Sequence, residues 1–158
     1  MAAEWSWADV KQDVKPRTDT VDLCLDGTLV AQADRVRRQI RQAKRDDSLD
    51  AGVDDLQAEL ELLEEAIGQA TRTFDIRSCG HRRWRELLVA HQSDDPAERY
   101  DAGTFVPAAI AECVVQFESA ADVVEAQELL TTAQISKLFS AVRALNETDG
   151  ALPLPRGR

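Results

Sequence analysis

Apolar residues alternate with polar ones in two short runs of this chain and recur at helical spacing through most of the remainder. In TDTVDLCLDG, Val21, Leu23 and Leu25 fall on one face, while Asp22, Cys24 and Asp26 fall on the other. That is the pattern of a half-buried strand closed by an Asp26-Gly27 turn. Leu29, Ala33, Val36, Ile40 and Ala43 then repeat at alternating four- and three-residue steps, the seam of a coiled-coil helix. DDSLDAG interrupts the seam as a loop, and Val53, Leu56, Leu60, Leu63, Ile67 and Ala70 resume it. Two seamed helices joined by a short Gly-containing loop predict an antiparallel helical hairpin over 29–70.

The second alternating run, TRTFDIRS, sets Phe74 and Ile76 against Thr73, Asp75 and Arg77. A hairpin returns the chain to where it left, so this run pairs antiparallel with the first. The second half, 80–147, reads as about four short helices. One spans Arg82 to His91, with Trp84, Leu87 and Leu88 as its buried face. The next begins near Thr104, with Thr104 as cap and Pro107 in the first turn. A third covers Ala120 to Leu130. A fourth starts at Thr131 or Thr132 and carries Ile135, Leu138, Phe139, Val142 and Leu145 on one stripe. GALPLPRGR, with two prolines and no apolar period, predicts a flexible tail over 150–158. The expected class is mostly α (α+β): two short antiparallel strands flank a protruding helical hairpin, and a C-terminal helical bundle follows. The expected organisation is one domain, 1–158.

Charge sharpens the hairpin. Arg35, Arg37, Arg38, Arg41, Lys44 and Arg45 face a lone Asp34 in the first helix. Asp54, Asp55, Glu59, Glu61, Glu64 and Glu65 stand in the second without a base. Folding one helix on the other pairs opposite charges along the seam, which fixes partner and orientation more than it adds stability. Over the whole chain the net charge of −10 argues against nucleic acid and against an anionic membrane, since both need a basic face. At 158 residues and 44% apolar composition, a sizeable core is within reach without staples. Three widely spaced cysteines, Cys24, Cys79 and Cys113, make no disulfide framework and suit a reducing cytoplasm. MAAEWSWADVK lacks the apolar core of a cleaved signal, and no stretch is long enough to span a membrane, so a soluble protein is expected.

CGHRRWRELLVAH holds both histidines, His81 and His91, and one cysteine. As a metal site it lacks a fourth ligand, and as a Cys/His nucleophilic pair it lacks an orienting acid and an oxyanion hole. It reads instead as a strand end and a helix start, with no metal and no catalytic residues. Arg82, Arg83 and Arg85 sit in the first turn, the unfavourable end of the helix dipole for cations. An acidic partner, or the acidic helix of the hairpin, would offset that. No Gly-rich phosphate loop, nucleophile elbow or calcium loop occurs, so neither a cofactor nor an enzymatic activity is expected. Trp5 and Trp7, flanked by polar residues, fit either a cap over the core or an anchor for a partner.

The order of these pieces resembles the tail assembly chaperones of long-tailed bacteriophages, in particular those of actinobacterial phages and prophages. The resemblance rests on WSWADVK with TDTVDLCLDGTLV, on TFDIRSCGHRRWRELLVAHQ, and on AGTFVPAAIAECVV with LTTAQISKLFSAVRALN. It departs after the middle helix, where similar sequences often run into a His-Pro-Pro turn and this chain has Gln92 and Ser93 after His91. The resemblance implies a non-catalytic protein of the bacterial host cytoplasm that binds the phage tape-measure protein. It would keep that partner soluble until tail-tube subunits polymerise, and would be absent from the mature virion. The tail-tube protein and a second copy of the chain are further expected partners. Trp5, Trp7, Phe105, Ile110, Val114 and Phe117 are the candidate partner-binding residues, the last four not yet assigned to core or groove. Two other readings stay open: a structural tail or virion protein, and a helical adaptor or regulator unrelated to phage.

Overall fold

The computed structural model describes residues 4–46 and 50–148, with the side chains of residues 50 and 51 left aside. The protein is mostly helical with one small two-stranded antiparallel sheet. In chain order the elements are α1 (Trp7–Asp13), β1 (Thr18–Cys24), α2 (Gly27–Arg45), α3 (Asp50–Ala70), β2 (Thr71–Arg77), α4 (His81–Ala90), α5 (Ala102–Cys113), α6 (Ala120–Leu129) and α7 (Thr132–Glu147). Among the described residues, no helix is long and apolar enough to cross a membrane. The expected tail 150–158 and most of the loop between α2 and α3 lie outside the described residues.

The chain divides into two compact units. One comprises Met1–Val21 with Phe74–Arg158, the other Asp22–Thr73.

The second unit is the helical hairpin. Asp26 is not a turn residue but the N-cap of α2: its Oδ1 accepts the backbone N–H groups of Thr28 at 3.0 Å and Leu29 at 3.3 Å. The helix therefore starts at Gly27, two residues before the first seam residue, and Leu25 is left 51% exposed. Ala33, Val36 and Ile40 are buried, as their spacing predicts. α3 begins at Asp50, so Gly52 belongs to the helix and not to the loop. It passes into β2 without a connecting residue. There the Thr71 hydroxyl donates to the Ile67 carbonyl at 2.7 Å and occupies one orphan acceptor of the last turn. Leu25 N–H donates to the Ala70 carbonyl at 3.0 Å, and the Thr73 hydroxyl donates to Asp22 Oδ1 at 2.6 Å. These bonds close the open end of the hairpin.

The first unit holds the larger core. Phe105 is fully buried at its centre, edge-on to Trp84 at 5.3 Å and to Phe139 at 6.0 Å, with Tyr100 at 4.3 Å. Ile76, Ile110, Val114, Val123, Leu138 and Val142 fill in around it with at most 1% exposure. The α7 stripe splits: Leu138, Val142 and Leu145 are buried, while Ile135 and Phe139 are only half-buried. α5 starts at Ala102, capped by Asp101, whose Oδ1 accepts Gly103 N–H at 2.9 Å. Thr104 is thus not the cap, and Pro107 stands in the helix interior, where it can give no hydrogen bond to the Gly103 carbonyl. After Cys113 the chain turns extended. Val114 bridges Ile76 in antiparallel fashion, and Val115 N–H donates to the Asp75 carbonyl at 2.9 Å. The Gln116 carboxamide clasps Asp75 from both sides, accepting its N–H and donating to Oδ2, each at 2.9 Å. β2 thus has a short neighbour that the alternation pattern does not announce.

Candidate partner-binding surface

The Cys79–His91 stretch is a junction. Gly80, at φ 85°, caps α4 in a conformation that favours glycine, and no side chain assists it. Cys79 N–H donates to Asn146 Oδ1 at 3.1 Å, and its thiol reaches the same oxygen at 3.4 Å. Asn146 Nδ2 donates to the Val142 carbonyl at 2.8 Å and lies 3.5 Å from Cys113 Sγ. Burial pushes the Cys113 thiol up to about 12 and raises Cys79 as well. At neutral pH both therefore stay protonated, as hydrogen-bonding thiols. His91 packs beside Phe105 at 6.3 Å, whereas His81 is exposed at the start of α4. Among the described residues no three His, Cys, Asp or Glu side chains gather as a metal-ligand set.

Two of the three arginines at the wrong end of the α4 dipole find acids close by. Arg83 makes a two-pronged pair with Glu112 of α5, Nε to Oε1 at 2.9 Å and Nη2 to Oε2 at 3.1 Å. Arg82 meets Glu86 one turn on, at 3.3 Å. Within this unit the offsetting charge comes from α4 itself and from α5. Glu147 gathers Arg99 at 2.9 Å, Arg143 at 3.4 Å and the Trp84 indole N–H at 3.2 Å, which ties the end of α7 to α4.

The six candidate residues separate sharply. Phe105 and Ile110 are completely buried and Val114 is 1% exposed, so all three build the core and present nothing to a partner. Phe117 is half-buried, stacked on Phe74 at 5.9 Å with 22° between the rings. Trp5 and Trp7 remain 67% and 68% exposed, so neither caps the core. They flank Ser6, the N-cap of α1, a seven-residue helix that sequence reading does not anticipate. Its capping box is complete: Asp9 N–H donates to Ser6 Oγ at 3.3 Å, and Ser6 N–H donates to Asp9 Oδ2 at 2.8 Å. The Ser6 hydroxyl and N–H hold the Asp9 carboxyl below its ordinary range. Yet no residue of α1 is buried, and Val14 just beyond it is 64% exposed.

A second apolar feature lies on α4. His81, Arg85 and Val89 form one i, i+4 ridge and Arg82, Glu86 and Ala90 the next, on the side away from Trp84 and Leu87. Together they line an open groove of about 540 Å³, with Val89 63% exposed in it. The stripe is readable from spacing, but two arginines and a glutamate disguise it as a solvated face.

No protein-family model matches this chain, and neither a curated protein nor a solved structure matches it significantly. Any functional reading therefore starts from these surfaces and from the resemblance carried by the sequence itself.

Proposed function

We propose that this chain is a non-enzymatic tail assembly chaperone of a long-tailed bacteriophage. In the host cytoplasm it would bind the elongated, helical tape-measure protein and hold it soluble until the tail tube assembles. It would then leave, and so be absent from the finished particle. The observation that carries the reading is α1, a helix with complete capping and no buried residue, bordered by two exposed tryptophans. So short a helix is marginal in water by itself, and its unburied side chains are of the kind that dominate binding energy. Covering the exposed two-thirds of each tryptophan is worth roughly 3 kcal/mol before the costs of association. The resemblance of WSWADVK and the later stretches supplies the identity of the partner.

Co-expression with a candidate tape-measure protein tests the reading. That protein should become soluble and co-purify, and Trp5→Ala with Trp7→Ala should abolish co-purification without changing the helical content. Protection should persist at moderate salt, because apolar burial is not screened as surface ion pairs are. A partner that aggregates equally with and without the chain would end this proposal. Detection of the chain in purified particles would replace it with a structural tail protein.

A further inference from the structure

The hairpin distributes burial and charge unevenly between its helices. On α2 the seam residues Ala33, Val36 and Ile40 are 0%, 3% and 8% exposed. On α3 no residue whose side chain is described is buried: Leu56, Leu60, Leu63 and Ile67 are all half-buried, and Leu62 is 69% exposed. The small seam of α2 is covered by the larger leucines of α3, but two helices cannot cover those leucines in return. Helical spacing puts Leu62, Leu63 and Ala66 on the flank of α3 away from Glu64. Glu64 makes the one ion pair that crosses the hairpin among the described residues, to Arg37 Nη2 at 3.3 Å. One flank is thus closed by a salt bridge, and the other carries Leu62, Leu63 and Ala66 interleaved with the acidic Asp55 and Glu59.

The charges are left over in the same way. Arg35, Arg38 and Arg41 on α2 enter no ion pair with any described residue, and neither do Asp55, Glu59 and Glu65 on α3. Each hairpin therefore offers one basic helix and one acidic helix, the latter with Leu62 exposed and its seam leucines only half-buried. The surface with matching chemistry is another hairpin of the same kind.

We propose that two copies of this chain associate through their hairpins as an antiparallel four-helix bundle, with each α2 lying beside the α3 of the other copy. Charge selects this arrangement from the two that a face-to-face two-fold permits. An axis across the helices would stack α2 on α2 and α3 on α3, setting like charges against each other at both contacts. An axis along the helices places every α2 between two α3 helices, its own and its partner's, so all neighbouring pairs are oppositely charged. Both tips then lie at one end of the bundle. The leucines of α3 turn inward as the core positions of a four-helix bundle. This inference does not rest on the tape-measure reading, and its test uses the chain alone.

Sedimentation of the full chain across micromolar to sub-millimolar concentration should show a monomer–dimer equilibrium. Leu62→Glu, at a position too exposed to matter for the single hairpin, should raise the dissociation constant tenfold or more while circular dichroism stays unchanged. The arrangement is read with photoreactive benzoylphenylalanine in place of Leu62, in a mixture of isotopically light and heavy copies. Crosslinks between copies should land on α2. A wild-type chain that stays monomeric throughout, a dissociation constant unmoved by Leu62→Glu, or crosslinks that land on the other copy's α3 would each overturn the proposal.

Discussion

Phe105 in the helical unit and Ile40 in the hairpin unit are both buried core residues, yet they are buried by different means. Phe105 is ringed by Trp84, Tyr100, Phe139 and His91, contributed by α4, the following loop and α7. Ile40 lies at 8% exposure in a two-helix seam, and the seam residues of α3 are themselves only half-buried. A core enclosed on several sides returns most of the hydrophobic gain of each side chain, whereas a two-helix seam returns only part. The same chain therefore contains a region with a fully enclosed core and a region with leftover apolar surface and unpaired charge. That contrast is why the hairpin, with its regular pattern and modest core, is the natural place to look for association.

The largest expected effect falls on the aromatic centre. Phe105→Ala should cost about 3–5 kcal/mol by denaturant titration, because the cavity opens among large, mutually packed rings. Ile40→Ala should cost about 2 kcal/mol, at the low end for such a truncation, because a two-helix seam can collapse onto the gap. If the two costs proved equal, the hairpin core would be far better enclosed than its exposures indicate.

The next test concerns Cys113, which belongs to the helical unit alone. Its thiol ionises near 9 when free and is pushed up to about 12 in the fold, chiefly by burial. The folded state therefore holds a proton that the unfolded chain releases. Its contribution to stability is complete below pH 9 and declines as pH rises from 9 through 12. Denaturation midpoints should fall across this window, and Cys113→Ala should flatten the fall. Cys79, raised in the same direction, would supply the residual slope. The smallest effect should come from the ion pair across the hairpin: Arg37→Gln is expected to change stability by under about 0.5 kcal/mol, since both partners are largely exposed.

Much of this architecture was legible because period and burial coincide. Val21 and Leu23 in one strand and Ile76 in the other are buried where alternation puts them, and Ala33, Val36 and Ile40 follow the seam. The misses have local causes. α1 has no apolar stripe to detect, but its Ser6-x-x-Asp9 capping box was present in the sequence. Asp101 and Asp26 took the capping roles that Thr104 and a turn were expected to fill, since a carboxylate one residue before a helix is as good a cap as a hydroxyl. The pairing of Val114 and Val115 with β2 was hidden because one bridge leaves no alternation to read. The candidate surface was half legible. Trp5 and Trp7 are exposed as a docking role requires, but sequence cannot separate a core Phe105 from a surface one when the helix is apolar all round.

The bond between Leu25 and Ala70 has an evolutionary consequence. The hairpin leaves and re-enters the sheet through adjacent residues, so it is an insertion whose ends already meet. Adding or deleting one heptad in each helix would change its reach by about 10 Å without shifting the register of β1 against β2. Length in this segment can drift freely while the sheet holds still. Related chains should therefore differ most in the span between Asp26 and Ala70, in paired steps of whole helical turns. A chimera with Leu25 to Ala70 replaced by a two-residue Asn-Gly turn should still form the strand pair.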